Sequence, residues 1–127
     1  MTDTRCLFCS LEPDRIISES DYTVTIRDGF PVSQGHTLII PKRHVATFFE
    51  LKAIEKAAIL QALDEAKDAL DKAYSPDGYN IGINCGIPAG QTIMHLHVHV
   101  IPRYKGDIED PTGGVRGVIP ERMNYRQ

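Results

Sequence analysis

The sequence has no tryptophan, only three cysteines in 127 residues, and no long apolar run. Three cysteines are too few for a disulfide framework, but a chain of this length can bury about two thirds of its surface in one core. No segment offers the roughly 20 apolar residues that a helix needs to cross a bilayer. Met1 to Arg5 also lacks the apolar stretch of a signal peptide. These shortages predict one soluble, cytoplasmic domain spanning residues 1–127.

Neither sign of charge is in large excess, since the formal net charge is -3. Binding to a nucleic acid polymer or an anionic membrane depends on a strong positive field, which this composition does not supply. We therefore expect neither as a partner, and any phosphate-bearing ligand must be held by a local site. Hydrophobic residues at 42% and charged residues at 24% are ordinary for a globular protein and argue against disorder.

Hydrophobic periodicity predicts four strands and one long helix. Thr47 and Glu50 fit a capping box, after which apolar or small residues recur at helical spacing as far as Tyr74. The order strand, strand, helix, strand, strand predicts an α+β fold with an antiparallel sheet. After Arg103 glycine, proline and charge dominate, and no element is predicted. The predicted strands are Tyr22–Arg27, His36–Ile40, Tyr79–Asn84 and Thr92–Ile101.

What the sequence does contain is a cluster of histidines, because three of its five lie within five residues. His95, His97 and His99 alternate with aliphatic residues, and a strand sends successive side chains to opposite faces. The three imidazoles are therefore expected on one face, about 6.6 to 7 Å apart along the strand. That spacing suits metal ligation, covalent chemistry or a proton relay, and it does not choose among them. Three unrelated surface histidines are the plainest alternative.

A metal-dependent hydrolase is the chief competing interpretation of the His-x-His pattern. A catalytic metal site recruits a third histidine or a carboxylate and keeps one coordination position open. Asp107 and Asp110 are the downstream carboxylates, and both lie in a segment without predicted structure.

The segment from His95 to Ile101 resembles the signature of the histidine triad (HIT) family, His-x-His-x-His followed by apolar residues. The resemblance covers about Cys6 to Arg103, and residues 104–127 form a C-terminal extension. It implies a sheet of about five antiparallel strands, one long helix and a short one, and a homodimer to which the long helix contributes. Further landmarks of the family are Asp28-Gly29-Phe30-Pro31, the run from Gly35 to His44, Asn84 and Gly90-Gln91-Thr92.

The resemblance implies that the central histidine, His97, attacks the α-phosphate of a bound nucleotide to form a nucleotidyl-histidine, which water then resolves. Such a nucleophile needs a neutral imidazole with one nitrogen free, so a backbone carbonyl of the triad strand should hold the other nitrogen as a donor. His99 would bind phosphate oxygens or the leaving group, with His36 supporting it. By the same resemblance Gln91 and Thr92 hold phosphate oxygens.

Nucleoside contacts also follow from the resemblance. Asn84 would contact the phosphate side of the ribose, and Asp28 would accept hydrogen bonds from the ribose hydroxyls. The alternative for Asp28 is a turn aspartate before Gly29. The resemblance implies a pocket for a base, adenine or another purine, formed by Leu7, Phe8, Ile26 and Leu38. Core packing is the alternative for each.

Cys6 and Cys9 form a Cys-x-x-Cys pair, which alone could be a redox motif, half of a zinc site or neither. Structural zinc needs four ligands, and some HIT relatives complete the site with residues that correspond here to His44 and His95. The resemblance thus implies a structural zinc that fixes the N-terminal segment two residues before the nucleophile. No thioredoxin-like βαβ pattern surrounds the pair. Cys85 is expected to be a small buried residue.

Two branches of the family suggest different substrates. Gly113 to Pro120 resembles a segment of bacterial members described as dinucleoside-tetraphosphate hydrolases, and Arg116 within it would meet a distal phosphate or lie plainly on the surface. We therefore favour a dinucleoside polyphosphate such as diadenosine tetraphosphate. A nucleoside phosphoramidate is the alternative substrate, and a nucleotide-binding regulatory module with vestigial chemistry is the alternative from another class.

Overall fold

The computed structural model describes residues 6–125, which form one five-stranded antiparallel sheet and one long helix. Along the sheet the strands follow the order β1-β2-β3-β5-β4. This arrangement confirms the α+β fold. The strands are β1 (Ile16–Glu19), β2 (Thr23–Arg27), β3 (Thr37–Pro41), β4 (Gly78–Ile83) and β5 (Val98–Arg103), and the helix is α1 (Ala53–Tyr74).

Helix α1 packs on one face of the sheet. Ile59 and Leu70 from the helix join Ile39, Val98 and Val100 in one buried cluster. Alternation along β5 therefore directs its valines toward the helix and leaves His99 on the opposite face. Among residues 6–125 no helix is both long enough and apolar enough to span a membrane.

The start of α1 differs from the prediction. Thr47 makes no capping hydrogen bond, and Phe48–Glu50 forms a separate short 3-10 turn. The Glu50 carboxylate instead accepts a hydrogen bond from the backbone N–H of Ala46, at 3.0 Å. Glu55 caps the true helix by accepting from the N–H of Lys52 at 2.8 Å. The acidic residue that caps α1 is therefore Glu55, whereas the sequence pattern predicted Glu50, and the predicted capping box is wrong.

Two strand predictions are also corrected. The segment from Thr92 to His97 lies outside the sheet, because the N–H of Leu96 donates to the carbonyl of Val45 rather than to a strand neighbour. β5 begins at Val98 and continues through Pro102 to Arg103. β1 is absent from the predicted strands because it has only four residues, is mostly exposed and pairs irregularly between Ile16 and Ser18.

Two chain segments cover parts of the sheet face opposite α1. Cys6 and Phe8 from the N-terminal segment pack with Ile26 and Leu38, over the β2–β3 side. The C-terminal segment forms short 3-10 turns at Gly114–Val118 and Pro120–Arg122, of which the first contacts β4. The triad histidines lie between these two walls.

Candidate active site and metal centre

His97 immediately precedes β5, with its ring between those of Phe8 and His99, whose centroids lie 5.0 and 5.1 Å away. Its Nδ1 lies 3.0 Å from the backbone carbonyl oxygen of His95. A carbonyl can only accept, so Nδ1 carries the proton and Nε2 keeps its lone pair. The backbone thus leaves His97 with one unprotonated nitrogen.

His36 and His99 are linked by a second chain of hydrogen bonds. The backbone N–H of Val32 donates to Nδ1 of His36 at 3.0 Å, so the proton of a neutral His36 lies on Nε2. That nitrogen donates to Nδ1 of His99 at 2.9 Å. The proton of a neutral His99 must then lie on its own Nε2, which leaves His99 with an N–H donor.

Burial keeps both partners of this pair neutral. Removal from water lowers the pKa of His36, against a smaller opposing effect of the Asp28 carboxylate. Burial also lowers the pKa of His99, and the neighbouring His97 and His36 lower it further. The alternating donors and acceptors described above therefore apply at neutral pH.

Asp28 has one carboxylate oxygen in a turn and the other beside the histidine pair. Its Oδ1 accepts from the N–H of Phe30 at 2.8 Å, as expected for a turn aspartate. Its Oδ2 lies 3.5 Å from Nε2 of His36. The turn role is thus present, and the second oxygen lies beside the His36–His99 pair.

Gln91 differs from its expected role. Its side-chain N–H groups donate to the carbonyls of Ala46 and Ile93 at 2.6 and 3.1 Å, and its Oε1 accepts from the N–H of Gly86 at 2.8 Å. Gln91 is also buried. Because both amide N–H groups are used by the backbone, Gln91 holds the loop before the triad and offers no donor to a phosphate. Thr92 beside it is exposed.

The four residues expected to form a base pocket differ in how far they are exposed to solvent. Leu7 is exposed, whereas Ile26 and Leu38 are only 0% and 3% exposed and belong to the core below Phe8. Ile26 and Leu38 therefore offer no surface to a base, and the alternative of core packing holds for both. Phe8 joins this core and also contacts the ring of His97.

A cavity of about 660 Å³ opens on the other side of His99, between the sheet and the C-terminal segment. We call it the tail groove. Its lining includes His36, Asn84 and His99 together with the aliphatic residues Ile108, Val115 and Val118. Nothing in the sequence pattern indicated it, because the segment that encloses it has no periodic apolar signal.

A second cluster lies beside the first triad histidine. The donor atoms of Cys6, Cys9, His44 and His95 all lie within 4.8 Å of one another. Nδ1 of His44 is 3.1 Å from Nδ1 of His95, and the sulfur-to-nitrogen distances run from 3.2 to 3.5 Å. In a tetrahedral zinc site the N–N and N–S distances between ligands would be about 3.3 and 3.6 Å, as follows from the bond lengths.

The protonation of His95 fits the same cluster. Its Nε2 lies 2.8 Å from the carbonyl oxygen of Pro41, which must accept, so Nδ1 has its lone pair directed at Cys6 and Cys9. A histidine ligand whose second nitrogen donates to a backbone carbonyl is typical of metal sites. The four residues therefore fit a structural zinc.

The carboxylates of the metallohydrolase alternative are engaged elsewhere. Asp107 forms two hydrogen bonds with the guanidinium of Arg103, both at 2.8 Å. Asp110 accepts from the N–H of Thr112 and from the side chain of Asn124. The groups Asp28, His36 and His99 are also close enough to share an ion, but the proton on Nε2 of His36 opposes ligation there.

Comparison with known proteins places this site in a family. The model of the HIT domain matches residues 10–106. An uncharacterized HIT-like protein of Methanocaldococcus jannaschii is 36% identical over 82% of this chain and 83% of its own length. An AP-4-A phosphorylase of Mycobacterium tuberculosis is 31% identical over 88% of this chain and 58% of its own length.

A solved structure shows the same fold. A zinc-bound histidine triad family protein from Mycobacterium smegmatis is 33% identical, with a TM-score of 0.75 over 84% of this chain and 80% of that one. The shared sheet, the three spaced histidines and the match over most of the sequence all point to the same family. The chain belongs to the HIT domain family, whose members are nucleotide hydrolases and transferases.

Proposed function

We propose that this protein hydrolyses a nucleotide at its α-phosphate through a covalent intermediate on His97. The observation that carries the proposal is that backbone groups determine which ring nitrogen is protonated in His97 and in His99. The carbonyl of His95 leaves Nε2 of His97 unprotonated, and the Val32–His36–His99 chain leaves His99 with an N–H donor. An unprotonated nucleophile beside a donor is what attack on a phosphate requires.

In the first step the lone pair on Nε2 of His97 forms a bond to the α-phosphorus. The bond from phosphorus to the leaving group breaks, and the leaving group takes the electron pair. The His97 ring becomes cationic, and the carbonyl of His95 stabilises it by accepting from Nδ1. Water then attacks the phosphorus and gives one proton to solvent, while the bond between phosphorus and Nε2 breaks and its electron pair returns to Nε2. This step releases the nucleoside monophosphate and restores neutral His97.

The leaving group determines whether a proton is needed. A phosphate leaves as an anion and needs only the hydrogen bond from Nε2 of His99. An amine needs a proton as well, and the His36–His99 pair can deliver one only when it carries one proton beyond its neutral arrangement. The attacking water returns that proton in the second step.

The remaining nucleotide contacts belong to the proposal. Oδ2 of Asp28 is available for a ribose hydroxyl. Asn84 and Thr92 are the polar groups left to bind phosphate oxygens, because Gln91 is engaged with the backbone. Leu7 and Phe8 form the side on which a purine base would lie.

A structural zinc would be held by Cys6, Cys9, His44 and His95. When bound, the ion would supply no reaction chemistry and would fix the N-terminal segment to the triad. His95 would hold it through Nδ1 while its carbonyl orients His97. The metal would thus brace the residue that positions the nucleophile.

The name of the mycobacterial relative supports a dinucleoside tetraphosphate as the substrate. A nucleoside phosphoramidate is the second candidate, and the exposed apolar side chains of Val115 and Val118 that line the tail groove favour it.

A homodimer is also proposed, because one long side of β4 has no strand partner among residues 6–125 and Ile81 on that strand is 48% exposed. Light scattering of the purified protein tests the dimer.

The experiment for the proposed reaction is incubation of wild type and His97→Ala with diadenosine tetraphosphate and with adenosine 5′-phosphoramidate. We expect turnover of at least one substrate by wild type, a quench-trapped AMP adduct by intact mass, and neither from His97→Ala. Binding without turnover would instead support the regulatory module. Activity that is lost and regained with an exchangeable divalent ion on His97 would support the metallohydrolase.

A further inference from the structure

We infer that Arg15 contacts the base of the bound nucleotide and makes the site select guanine over adenine. The inference rests on the proposed function, because it names the base of the same substrate. Three observations support it: the place of Arg15 on the sheet, the donors that its guanidinium has left, and the lack of a side chain at Gly29.

The register of the sheet places Arg15 at the side of the nucleotide face that lies away from the triad. Because β1 and β2 are antiparallel, the residue before Ile16 and the residues after Ile26 lie at the same end of the two strands. Arg15 and Asp28 are such residues, so both lie at that end. On the face opposite α1, paired residues form one row from β5 to β1, namely His99, Leu38, Ile26 and Ile16.

A nucleotide bound as proposed directs its base toward Arg15. Its α-phosphate lies at His97 and its ribose hydroxyls lie at Asp28, and the base is attached to the sugar carbon next to those hydroxyls. β2 is two strands away from β5, about 10 Å at the usual strand spacing, so the sugar already crosses much of the row. The base therefore lies along the N-terminal segment, where Phe8 and Leu11 pack on the sheet, and within reach of Arg15.

The guanidinium of Arg15 is held in place and still has donors to offer. Its Nη2 donates to the backbone carbonyl of Arg27 at 3.1 Å, in the peptide bond that leads into Asp28. Within residues 6–125 this is the hydrogen bond that Arg15 makes, and the side chain is half-buried. Nε and Nη1 are left for a ligand. A planar fork anchored at one end suits a planar pair of acceptors.

Two other arginines near the site are already engaged. Arg103 donates to Asp107 through two nitrogens, both at 2.8 Å. Arg116 donates to two backbone carbonyls of the C-terminal segment at 2.9 and 3.3 Å, so the expectation that it meets a distal phosphate finds no support in its geometry. Arg15 is thus better placed than either to bind a ligand.

Gly29 leaves the guanidinium uncovered. A β-carbon at this position would lie 3.7 Å from Nη2 of Arg15, which is ordinary contact. The backbone of Gly29 is not in the left-handed region, so its conformation does not require glycine. The side chain of Phe30 is 93% exposed and does not cover the guanidinium either. The space beside Arg15 is therefore open to a base.

The chemistry of the purine edge decides which base fits. Guanine presents two acceptors, O6 and N7, on the edge that an arginine fork matches. Adenine presents N7 and an amino group there, and the amino group is a donor that would face an N–H of Arg15. The geometry thus favours guanine, whereas a guanidinium stacked on the face of the base would accept both purines.

The first test is calorimetric binding of GMP, IMP, AMP and 7-deaza-GMP to the wild-type protein. IMP is the matched ligand control, because hypoxanthine has O6 and N7 but lacks the 2-amino group of guanine. We expect GMP and IMP to bind equally and AMP about tenfold more weakly, as for loss of a bidentate contact. 7-Deaza-GMP, which lacks one acceptor, should fall between them. The kcat/KM values of the guanosine and adenosine 5′-phosphoramidates should follow the same order.

Two variants assign the preference to Arg15. Arg15→Met removes the donors, and Gly29→Val keeps Arg15 but covers it, so each should bring the GMP to AMP affinity ratio close to one. The second variant keeps the test informative if the first does not fold. Lys72→Met is the matched control, because it removes one positive charge from an exposed position of α1. It should leave the ratio unchanged.

Failure of the inference is distinguishable from failure of the proposed function. Equal binding of GMP and AMP by wild type, together with turnover, would overturn only the base assignment. A preference that survives both variants, or an equal loss of GMP and AMP binding in Arg15→Met, would also overturn it, the second by placing Arg15 on the phosphate or on the face of the base. Absence of both binding and turnover with every nucleotide would refute the function as well.

Discussion

The carbonyl oxygen of His95 accepts the Nδ1 proton of His97 at 3.0 Å, while Nδ1 of His95 faces two cysteines. One residue therefore joins the candidate metal centre to the candidate nucleophile. A change at the cysteines should therefore reach His97 through His95 and the hydrogen bond that its backbone carbonyl accepts.

For the cysteine pair we predict that Cys9→Ser lowers both zinc content and kcat/KM, the latter by about 10- to 100-fold as for the outer partners of metal sites. The reason is that a loosened His95 no longer fixes the ring of His97. Metal analysis and steady-state kinetics on the same preparation give the answer. Cys85→Ser is the control, since Cys85 is outside the cluster. Full activity of a zinc-free protein would contradict the link.

Gln91 and Thr92 are neighbours with opposite expected effects. Gln91→Ala leaves the N–H of Gly86 and two carbonyls without their side-chain partner, which should cost about 1–3 kcal/mol of unfolding free energy in urea. Thr92→Val should leave stability nearly unchanged, because Thr92 is exposed, and should weaken nucleotide binding. A stable Gln91→Ala protein with only a raised KM would restore Gln91 as a phosphate ligand.

Acid should destabilise the protein through the His36–His99 pair. Burial lowers the folded pKa of both below the ordinary value of 6.5, so the unfolded chain binds more protons as the pH falls through that value. Stability from these groups is present above pH 6.5 and is lost below it. Melting temperatures between pH 7.5 and 5 should fall less steeply in His36→Gln than in wild type, and equal slopes would exclude this contribution.

Glu55 links the start of α1 to the segment that holds His44. Its carboxylate accepts two hydrogen bonds from Arg43 and one from the N–H of Lys52, and the bond with Arg43 is the main reason that its pKa falls to about 2. Glu55→Gln should cost about 1–3 kcal/mol, because a buried acceptor of a charged partner is weakened. Urea unfolding measures it. Asp64→Asn, at an exposed position of the same helix, should have little effect.

Side-chain spacing predicted much of this architecture, and backbone geometry decided the rest. The aliphatic residues that alternate with the three histidines, Leu96, Val98 and Val100, are buried. The two cysteines lie beside the two histidines that the resemblance named. The groups that set the protonation of His36 and His95 are the N–H of Val32 and the carbonyl of Pro41. Every residue has such groups, so no residue type marks them in a sequence.

Two departures from the sequence pattern have the same origin. Thr47 and Glu50 satisfy the capping pattern, but Glu55 competes for the role through the contact with Arg43, which only the folded chain brings near. Gln91 fits a phosphate-binding pattern, yet its side-chain amide donates a hydrogen bond to the carbonyl of Ala46, 45 positions earlier. Long-range contacts overrode local patterns in both cases.

The C-terminal wall of the tail groove contributes no atom to the hydrogen bonds that set the state of His97, His99 or His36. Substitutions at Val115 or Val118 should therefore leave the proton positions on these three histidines as they are. The hydrogen bonds of the histidines and the wall that faces them belong to separate parts of one short chain, so each can vary without the other.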